Sequence, residues 1–405
     1  GEILTELDQR VQDTLMFENE LENMLGDGMD VGIAVFNKEK SELTFSGALM
    51  SLFCIENNGY GLSTPTNEQF KCEHLADKGQ GYGIESHIVD GNNILEVYSM
   101  VDALCKRMRK KPAPVLLEFK TFRMRGHEEA SGTKYVPKEL MAEWETKDPI
   151  LNYEAFLLKE EVLTNDSIAK IKSKISDEIT EHLKTAFEEN EIESLESDEI
   201  SDVYKKFDYQ DVTSGYNVKN IRLVDAISEG LRQSMEHHEN LVIMGQDIAE
   251  YGGVFKITDG LTAKYGKDRV RNTPISEAAP LGAALGMSIG GMKTMVEMQF
   301  ADFVSCGFNQ IANNLAKTYY RWGQNSDVVI RMPTGAGSAA GPFHSQSNEG
   351  WFFQIPGLKI VYPSSPAEAK GLLLESFNDP NPVLFFEHKY LYRNISGEVP
   401  EAYYT

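Results

Sequence analysis

The chain has 405 residues, of which 41% are hydrophobic and 25% charged, a composition typical of a globular protein with two or three domains. Its formal net charge of −23 argues against nucleic acid or an anionic membrane surface as a partner. The four cysteines form no CxxC pair and no apolar run reaches the roughly 18 residues of a membrane span, so we expect a cytoplasmic protein without a zinc site.

The first patterned stretches are a hairpin and a strand-helix-strand unit. MDVGIAVFNKEKSELTFSGA, residues 29–48, alternates apolar residues on either side of a polar NKEKSE run, which predicts a hairpin. Residues 84–120 read as a strand, a helix and a second strand. The spacing therefore predicts a parallel strand pair after the hairpin.

A long amphipathic helix and an acidic stretch follow. Apolar residues recur at helical spacing between residues 167 and 190, namely Ile168, Ile171, Ile175, Ile179, Leu183 and Phe187. Between residues 186 and 220 a dense run of Glu and Asp gives way to polar and Gly residues, which indicates a linker or simply a solvated helix end. We place a first domain at 52–205, a linker at 206–220 and a second domain at 221–405.

The second domain alternates strand-like and helical runs. One apolar stripe joins Leu223, Ile227, Leu231 and Met235. Helices are predicted at 302–322 and 366–377, and strands at LVIMG, KTMVEMQF, SDVVIRM, LKIVYP and PVLFFEH. Strands of this apolar kind in alternation with helices predict an α/β fold, with parallel sheets covered by helices on both faces.

One short run carries ligands for a hard cation. In ENNGYG, residues 56–61, the amide oxygen of Asn58 and the carbonyl of Tyr60 could share one Mg²⁺, and Gly59 lets the backbone come close. Upstream, GDG offers Asp27 as the charged ligand. An ordinary Asn-Gly turn explains the same residues without a metal.

Longer motifs resemble a known enzyme family. GDG followed by NN resembles the thiamine-diphosphate binding motif, and ENNGYGLSTPTNEQF and EFKTFRMRGHEEASG resemble the α half of the decarboxylating component of 2-oxo acid dehydrogenase complexes. From residue 221, stretches such as NTPISEAAPLGAALGMSIGG and GPFHSQSNEGWFF resemble its β half. The resemblance implies two thiamine-diphosphate-binding-type domains, with thiamine diphosphate and Mg²⁺ as cofactors bound between the two halves.

The same resemblance implies two residues that handle protons. Glu277 matches the glutamate that hydrogen-bonds N1′ of the cofactor's pyrimidine. His344 matches the active-site histidine, whose ordinary pKa suits proton transfer to the intermediate or to the incoming lipoyl sulfur. The alternatives are a first-turn glutamate that complements a helix dipole and a structural histidine.

Further roles rest on the same match. Phe303 is implied to pack the pyrimidine and Gln299 to shape its pocket, while His127 and Arg123 lie near the diphosphate. Asp379 and Asn381 match part of a potassium site, which turn chemistry explains equally well. Glu128 stands where many relatives have a regulatory serine, so we expect no kinase control at that position.

Residues 1–51 depart from this family, and resemble a fragment of a sporulation-type metal-dependent serine phosphatase. We also expect the N-terminal part of the α half and the last domain of the β half to be missing. Three interpretations stay open: a fused dehydrogenase acting on pyruvate or a branched-chain 2-oxo acid, with acetoin dehydrogenase-type cleavage as an alternative reaction; an incomplete or chimeric non-catalytic product; and a phosphatase regulatory fragment. The first implies a homodimer with a lipoyl-bearing acyltransferase as partner.

Overall fold

The computed structural model describes residues 52–128, 130–337 and 339–405, preceded by the backbone of two short strands. These strands, β1 (Ala34–Asn37) and β2 (Glu42–Phe45), pair antiparallel, which confirms the predicted hairpin. From residue 52 onward the chain divides into two compact units, 52–192 and 193–405. Each unit is described by itself below.

The first unit begins with a strand and ends with a long helix. Its strands are β3 (Leu52–Asn57), β4 (Tyr60–Gly61), β5 (Thr64–Pro65), β6 (Glu85–Asp90) and β7 (Val115–Lys120). Its helices are α1 (Thr66–Gln69), a 3₁₀ turn at Leu75–Asp77, α2 (Lys78–Gly81), α3 (Ile94–Lys110), α4 (Lys138–Glu145), α5 (Pro149–Lys159) and α6 (Asn165–Glu188).

A three-stranded parallel sheet in the order β3-β7-β6 organises the first unit. Helix α3 is the crossover between β6 and β7, and the Asn93 side chain caps its first turn by accepting from the amide of Glu96. The core between this helix and one face of the sheet contains Val89, Leu104, Met108, Val115 and Leu117. The opposite face is more open, since Phe53 and Ile88 keep 43% and 42% of their surface exposed.

The second unit contains more strands and a larger core. Its strands are β8 (Val218–Arg222), β9 (Leu241–Gly245), β10 (Val270–Asn272), β11 (Lys293–Glu297), β12 (Val328–Thr334), β13 (Lys359–Val361), β14 (Val383–His388) and β15 (Ser396–Pro400). Its α-helices are α7 (Glu196–Ser201), α8 (Leu223–His237), α9 (Leu261–Tyr265), α10 (Ala278–Ile289), α11 (Ala316–Trp322), α12 (Pro366–Asn378) and α13 (Leu391–Asn394).

Six parallel strands in the order β10-β9-β11-β12-β14-β13 form the centre of the second unit. Alternate residues of each strand point to opposite faces, so Ile243 joins a core with α8 and α12, whereas Met244 joins a core with α10. Both faces are therefore covered, and every residue of β9 and β12 is buried. The α/β fold with parallel sheets is confirmed.

Two features of the second unit have no counterpart in the sequence predictions. Strands β8 and β15 pair antiparallel across a long stretch of chain, with Arg222 opposite Ser396. The helical region predicted at 302–322 is divided into a 3₁₀ segment (Ala301–Gly307), a π-helical segment (Gln310–Leu315) and α11. Close packing at Gly307 accompanies this irregularity, because an added Cβ would lie 2.4 Å from a Leu281 methyl carbon.

From residue 193 onward, the acidic stretch before β8 belongs to the second unit. The backbone amide of Lys205 donates to the side-chain oxygen of Asn381 at 2.8 Å, and the Asn381 amide returns a bond to the Lys205 carbonyl at 2.9 Å. Tyr204 donates its hydroxyl proton to the carbonyl of Leu358 at 3.0 Å. Residues 193–205 thus go with the second unit in space, although their composition reads as the end of the first domain.

Within the described ranges, every helix is too short or too polar to cross a bilayer.

Candidate functional site

The two asparagines that end β3 have different surroundings. Asn57 is 6% exposed, and its amide donates to a carboxylate oxygen of Glu118 at 2.6 Å. The side-chain oxygen of Asn57 accepts from the amide of Gly59 at 3.1 Å. The other carboxylate oxygen of Glu118 accepts from the Ala76 amide at 2.8 Å. A neutral amide at position 57 can both donate and accept, so it joins the strand end to β7 and starts the turn.

Asn58 and Tyr60, two of the predicted metal ligands, share that turn. The side-chain oxygen of Asn58 accepts from the amide of Tyr60 at 3.0 Å, and Gly59 has φ +84°, a conformation that favours glycine. The Tyr60 ring packs against Phe122 and Tyr135. An amide oxygen and a backbone carbonyl at one turn are donors of the kind that Mg²⁺ prefers, so the residues present fit the ion.

A charged ligand for that ion is not established. Asp27 lies outside the described residues. Among residues 52–128, 130–337 and 339–405, no group of three or more His, Cys, Asp or Glu side chains could hold a metal. Asn58 and Tyr60 therefore stay predicted Mg²⁺ ligands, and Asp27 stays the predicted third ligand.

The carboxylate of Glu118 accepts the hydrogen bond that fixes Asn57 at the start of the asparagine turn. Burial acts to raise the pKa of this carboxyl, but hydrogen bonds from Asn57 and the Ala76 amide and the charge of Lys120 outweigh it and lower the pKa. Because the pKa is depressed in the folded state, this stabilisation is present above the ordinary carboxyl range and is lost as the pH falls through the folded-state pKa.

Changing Glu118 to glutamine is expected to lower the free energy of unfolding of the first unit by about 1.5–3 kcal/mol, because the charge-assisted hydrogen bonds are lost and two amide groups face each other. Urea denaturation followed at neutral pH and at pH 4 measures it, and the difference between native and variant should shrink at the lower pH. Glu85→Gln, which alters an exposed ion pair with Arg107, is the control and should change little. Equal losses in the two variants would contradict the role of Glu118.

A cavity of about 220 Å³ adjoins the turn at the carboxyl ends of β3 and β7. Its lining is Asn57, Gly59, Tyr60, Pro65, Lys120, Thr121, Phe122, Leu140 and Trp144. In open parallel sheets, ligands bind at this edge. The cavity is therefore lined in part by Gly59 and Tyr60, from the turn that carries the predicted Mg²⁺ ligands.

Of the two basic residues predicted near the diphosphate, one lies at the turn. Arg123 donates to the carbonyl of Leu62 at 2.7 Å and to the hydroxyl of Tyr135 at 3.2 Å. Its Nε is buried and has no hydrogen-bond partner among the described residues. His127 lies in the exposed loop that follows, with its Nε2 3.8 Å from the carboxylate of Glu128.

In the second unit, Glu277 immediately precedes α10. Its side chain is half-buried and accepts a hydrogen bond from the Gln246 amide at 3.3 Å. Gln246 directly follows β9, so the carboxylate is oriented by the end of a central strand. One oxygen is thus positioned by the protein while the group keeps access to its surroundings.

His344 and Phe303, both predicted site residues, are in contact. The His344 ring lies edge-on to Phe300 and Phe303, with ring centres 5.0 and 5.4 Å apart. Its Nδ1 is buried and finds no hydrogen-bond partner in the described parts of the chain. Gln299 lies just after the carboxyl end of β11, and its side-chain amide donates to the carboxylate of Asp247 at 3.3 Å.

Two buried charged residues beside this histidine were missed by the sequence analysis. Asp302 accepts from the backbone amide of Gln346 at 3.0 Å, which attaches the loop of His344 to the 3₁₀ segment. The ammonium of Lys389 lies 5.3 Å from the centre of the Phe300 ring. Burial lowers the pKa of Lys389, and Asp302 opposes that effect. A charged residue inside an otherwise apolar run, as in QFADFV, was the available signal.

A buried charge network crosses the carboxyl ends of three strands. Arg331 donates to both carboxylate oxygens of Glu387 at 2.6 Å and to Glu297 at 2.5 Å. The hydroxyl of Tyr392 donates to Glu387 at 2.5 Å. Burial, together with the charge of Glu387, raises the pKa of Glu297 despite its contact with Arg331. The sequence analysis placed Glu297, Arg331 and Glu387 only within predicted strands and assigned no role to Tyr392.

The residues predicted to bind potassium have other partners. Asp379 accepts from the backbone amide and the side chain of Asn381 at 2.9 and 2.8 Å. Its second oxygen contacts the ammonium of Lys359, whose charge also faces the ring of Phe207 at 5.1 Å. The ammonium of Lys359 is thus the cation at the Asp379 carboxylate. An ordinary turn accounts for the hydrogen bonds between Asp379 and Asn381. Potassium binding here stays a prediction.

Comparison with known protein families agrees with the two-unit architecture. Residues 41–194 match the model of the dehydrogenase E1 component, and residues 219–394 match the pyrimidine-binding domain of transketolase. The chain therefore contains one segment similar to each of these two models, in that order along the sequence. The first match begins inside residues 1–51, and a phosphatase origin of that segment stays a prediction.

The chain has curated relatives among β subunits. It is 45% identical over 186 residues to the 2-oxoisovalerate dehydrogenase subunit beta of Bacillus subtilis, covering 45% of this chain and 56% of that protein. It is equally identical to the pyruvate dehydrogenase E1 component subunit beta of Acholeplasma laidlawii, over 45% of this chain and 57% of the relative. It is 43% identical to the acetoin:2,6-dichlorophenolindophenol oxidoreductase subunit beta of Bacillus subtilis, over 46% of this chain and 58% of that protein. The chain spans somewhat over half the length of these relatives.

Proposed function

We propose that the chain is a thiamine-diphosphate-dependent oxidoreductase that decarboxylates a 2-oxo acid and passes the acyl group to a lipoyl domain. The observation that carries the proposal is the combination, in one chain, of an E1-type domain with the Asn58 turn and a pyrimidine-binding domain with Glu277. Relatives named for 2-oxoisovalerate and pyruvate support the substrate class.

Most of the predicted site residues have a role in this proposal. Asn58 and the Tyr60 carbonyl bind Mg²⁺, and Arg123 and His127 neutralise the diphosphate. Glu277 would accept a hydrogen bond at N1′ of the pyrimidine, and Phe303 and Gln299 would form the pocket that holds this ring. His344 moves a proton to or from the reacting oxygen or sulfur through its imidazole. Thiamine diphosphate, when bound, supplies the electron sink for loss of carbon dioxide.

The partners follow from the same reading. We propose a homodimer that works with a lipoyl-bearing acyltransferase component in the cytoplasm. The acetoin oxidoreductase relative favours acetoin cleavage as a second candidate. Dye reduction with pyruvate, 2-oxoisovalerate and acetoin, each supplied alone, separates the two.

Cofactor binding is the direct test. Isothermal titration of the full chain with thiamine diphosphate and Mg²⁺ is expected to show saturable heat, and Asn58→Ala should weaken the affinity by about tenfold or more because an Mg²⁺ ligand is lost. Asn67→Ala, in the exposed helix α1, is the matched control and should bind normally. An absence of heat with the native chain would favour the incomplete, non-catalytic product.

A further inference from the structure

Helix α6 is the most exposed long element of the described chain. All residues from 169 to 200 are exposed, and the helix contributes no buried residue to any core. Its apolar stripe is nevertheless continuous. Five large side chains on the stripe keep about half or more of their surface in solvent: Ile171 47%, Ile175 50%, Ile179 54%, Leu183 50% and Phe187 85%.

A helix with this exposure needs a partner. Isolated helices are marginal in water, and most helical stability in proteins comes from packing an amphipathic face. A contiguous apolar surface of this kind also marks an interaction site rather than a random solvent contact. The capping box at Thr164 and Ser167 fixes where the helix begins but buries no apolar surface.

Charged residues along one edge of the apolar stripe indicate the charge pattern that a partner helix must present. Lys170, Lys174, Glu178 and Glu181 follow at helical spacing and therefore lie on the same edge. The two lysines lie toward the N-terminus of the helix and the two glutamates toward its C-terminus. Reversing the direction of the helix converts this edge into its own electrostatic complement.

We propose that α6 pairs antiparallel with α6 of a second copy of this chain, in an isologous contact centred beside Ile175. Because the same edges of two antiparallel helices face each other, Lys174 lies opposite Glu178 of the copy, and Lys170 lies opposite Glu181. The Ile175 side chains of the two copies pack together, and Ile171 packs beside Ile179 of the copy. No like charges are opposed along this edge.

Bonds within one helix leave the edge free to form this contact. Lys174 and Glu178 lie 3.7 Å apart within α6, but their side chains are 79% and 55% exposed. Exposed pairs of this kind contribute little, so the ions can exchange partners across the interface at small cost. The apolar stripe drives association, and the charged edge selects the antiparallel direction.

A charge-swap experiment on the full chain tests the pairing. One variant carries Lys170→Glu with Lys174→Glu, and the other carries Glu178→Lys with Glu181→Lys. By sedimentation equilibrium, the native chain should self-associate, and each variant alone should dissociate about tenfold more readily because like charges face each other. An equimolar mixture of the two variants should recover native-like association as a hetero-pair.

Cysteine crosslinking gives an independent readout. Ile175→Cys should form a disulfide between two copies under mild oxidation, whereas Ser173→Cys, on the opposite face of the same helix, should not exceed the background from the native cysteines. A monomeric native chain would overturn the proposal. So would self-association that the charge swaps leave unchanged, or crosslinking that is equal at the two positions.

Discussion

Replacing Glu277 with glutamine is expected to abolish most of the decarboxylation activity, lowering turnover by about 10²- to 10⁴-fold. Glutamine has the same shape and can keep the contact with Gln246, so the fold should be retained. It cannot supply the negative charge that favours a proton on the pyrimidine nitrogen. Turnover is measured with a 2-oxo acid and a dye acceptor at saturating thiamine diphosphate and Mg²⁺.

The control for this variant separates catalysis from helix stabilisation. Glu368 lies in the first turn of α12, where its carboxylate forms a capping box with Ser365. Glu368→Gln should cost some stability and leave turnover near the native value. If Glu277→Gln also retained native turnover, the carboxylate would be only a complement to the dipole of α10, and the proposed reaction would lose its central residue.

Local sequence patterns predicted most of the helices and strands, because the residues that define each of these elements lie close together along the chain. Strands such as β9 and β12 are apolar runs that are buried on both faces, and α8 and α6 carry their stripes in the sequence. The pair β8–β15 was not predicted, because VKNIR and SGEVP lack strong alternation and obtain their partner from distant chain. The attachment of residues 204 and 205 to Asn381 depends on a similar long-range contact.

The residues of the candidate site also divide into those that local motifs predicted and those that they did not. Motif matching identified Asn58, Glu277 and His344, whose neighbours in sequence carry the signal. It did not identify Glu118, which lies 61 residues from Asn57 along the chain and contacts it only after the sheet forms. Asp302 and Lys389 were missed for the same reason. Motifs therefore propose candidate ligand-binding groups, but they do not reveal the buried groups that contact those candidates in the folded chain.

Loss of Arg331 should strongly destabilise the second unit. Its guanidinium is fully buried between the carboxylates of Glu297 and Glu387, and the network includes the Tyr392 hydroxyl. A buried ion pair contributes little over an apolar replacement of all its members. Removal of one partner is different, because the remaining charges are left without compensation in a medium of low polarity.

Arg331→Met is accordingly expected to lower the free energy of unfolding by about 3–5 kcal/mol, measured by urea denaturation of the second unit. Burial already raises the pKa of Glu297 with the arginine present, so without the arginine this carboxyl should favour the protonated form more strongly. A group with a raised pKa contributes most below its unfolded-state value, and the variant should therefore regain stability as the pH falls toward that range. Arg222→Met, at an exposed pair with Asp225, is the matched control and should show neither a large loss nor this pH response. The same small change in both variants would show that the buried network does not depend on its arginine.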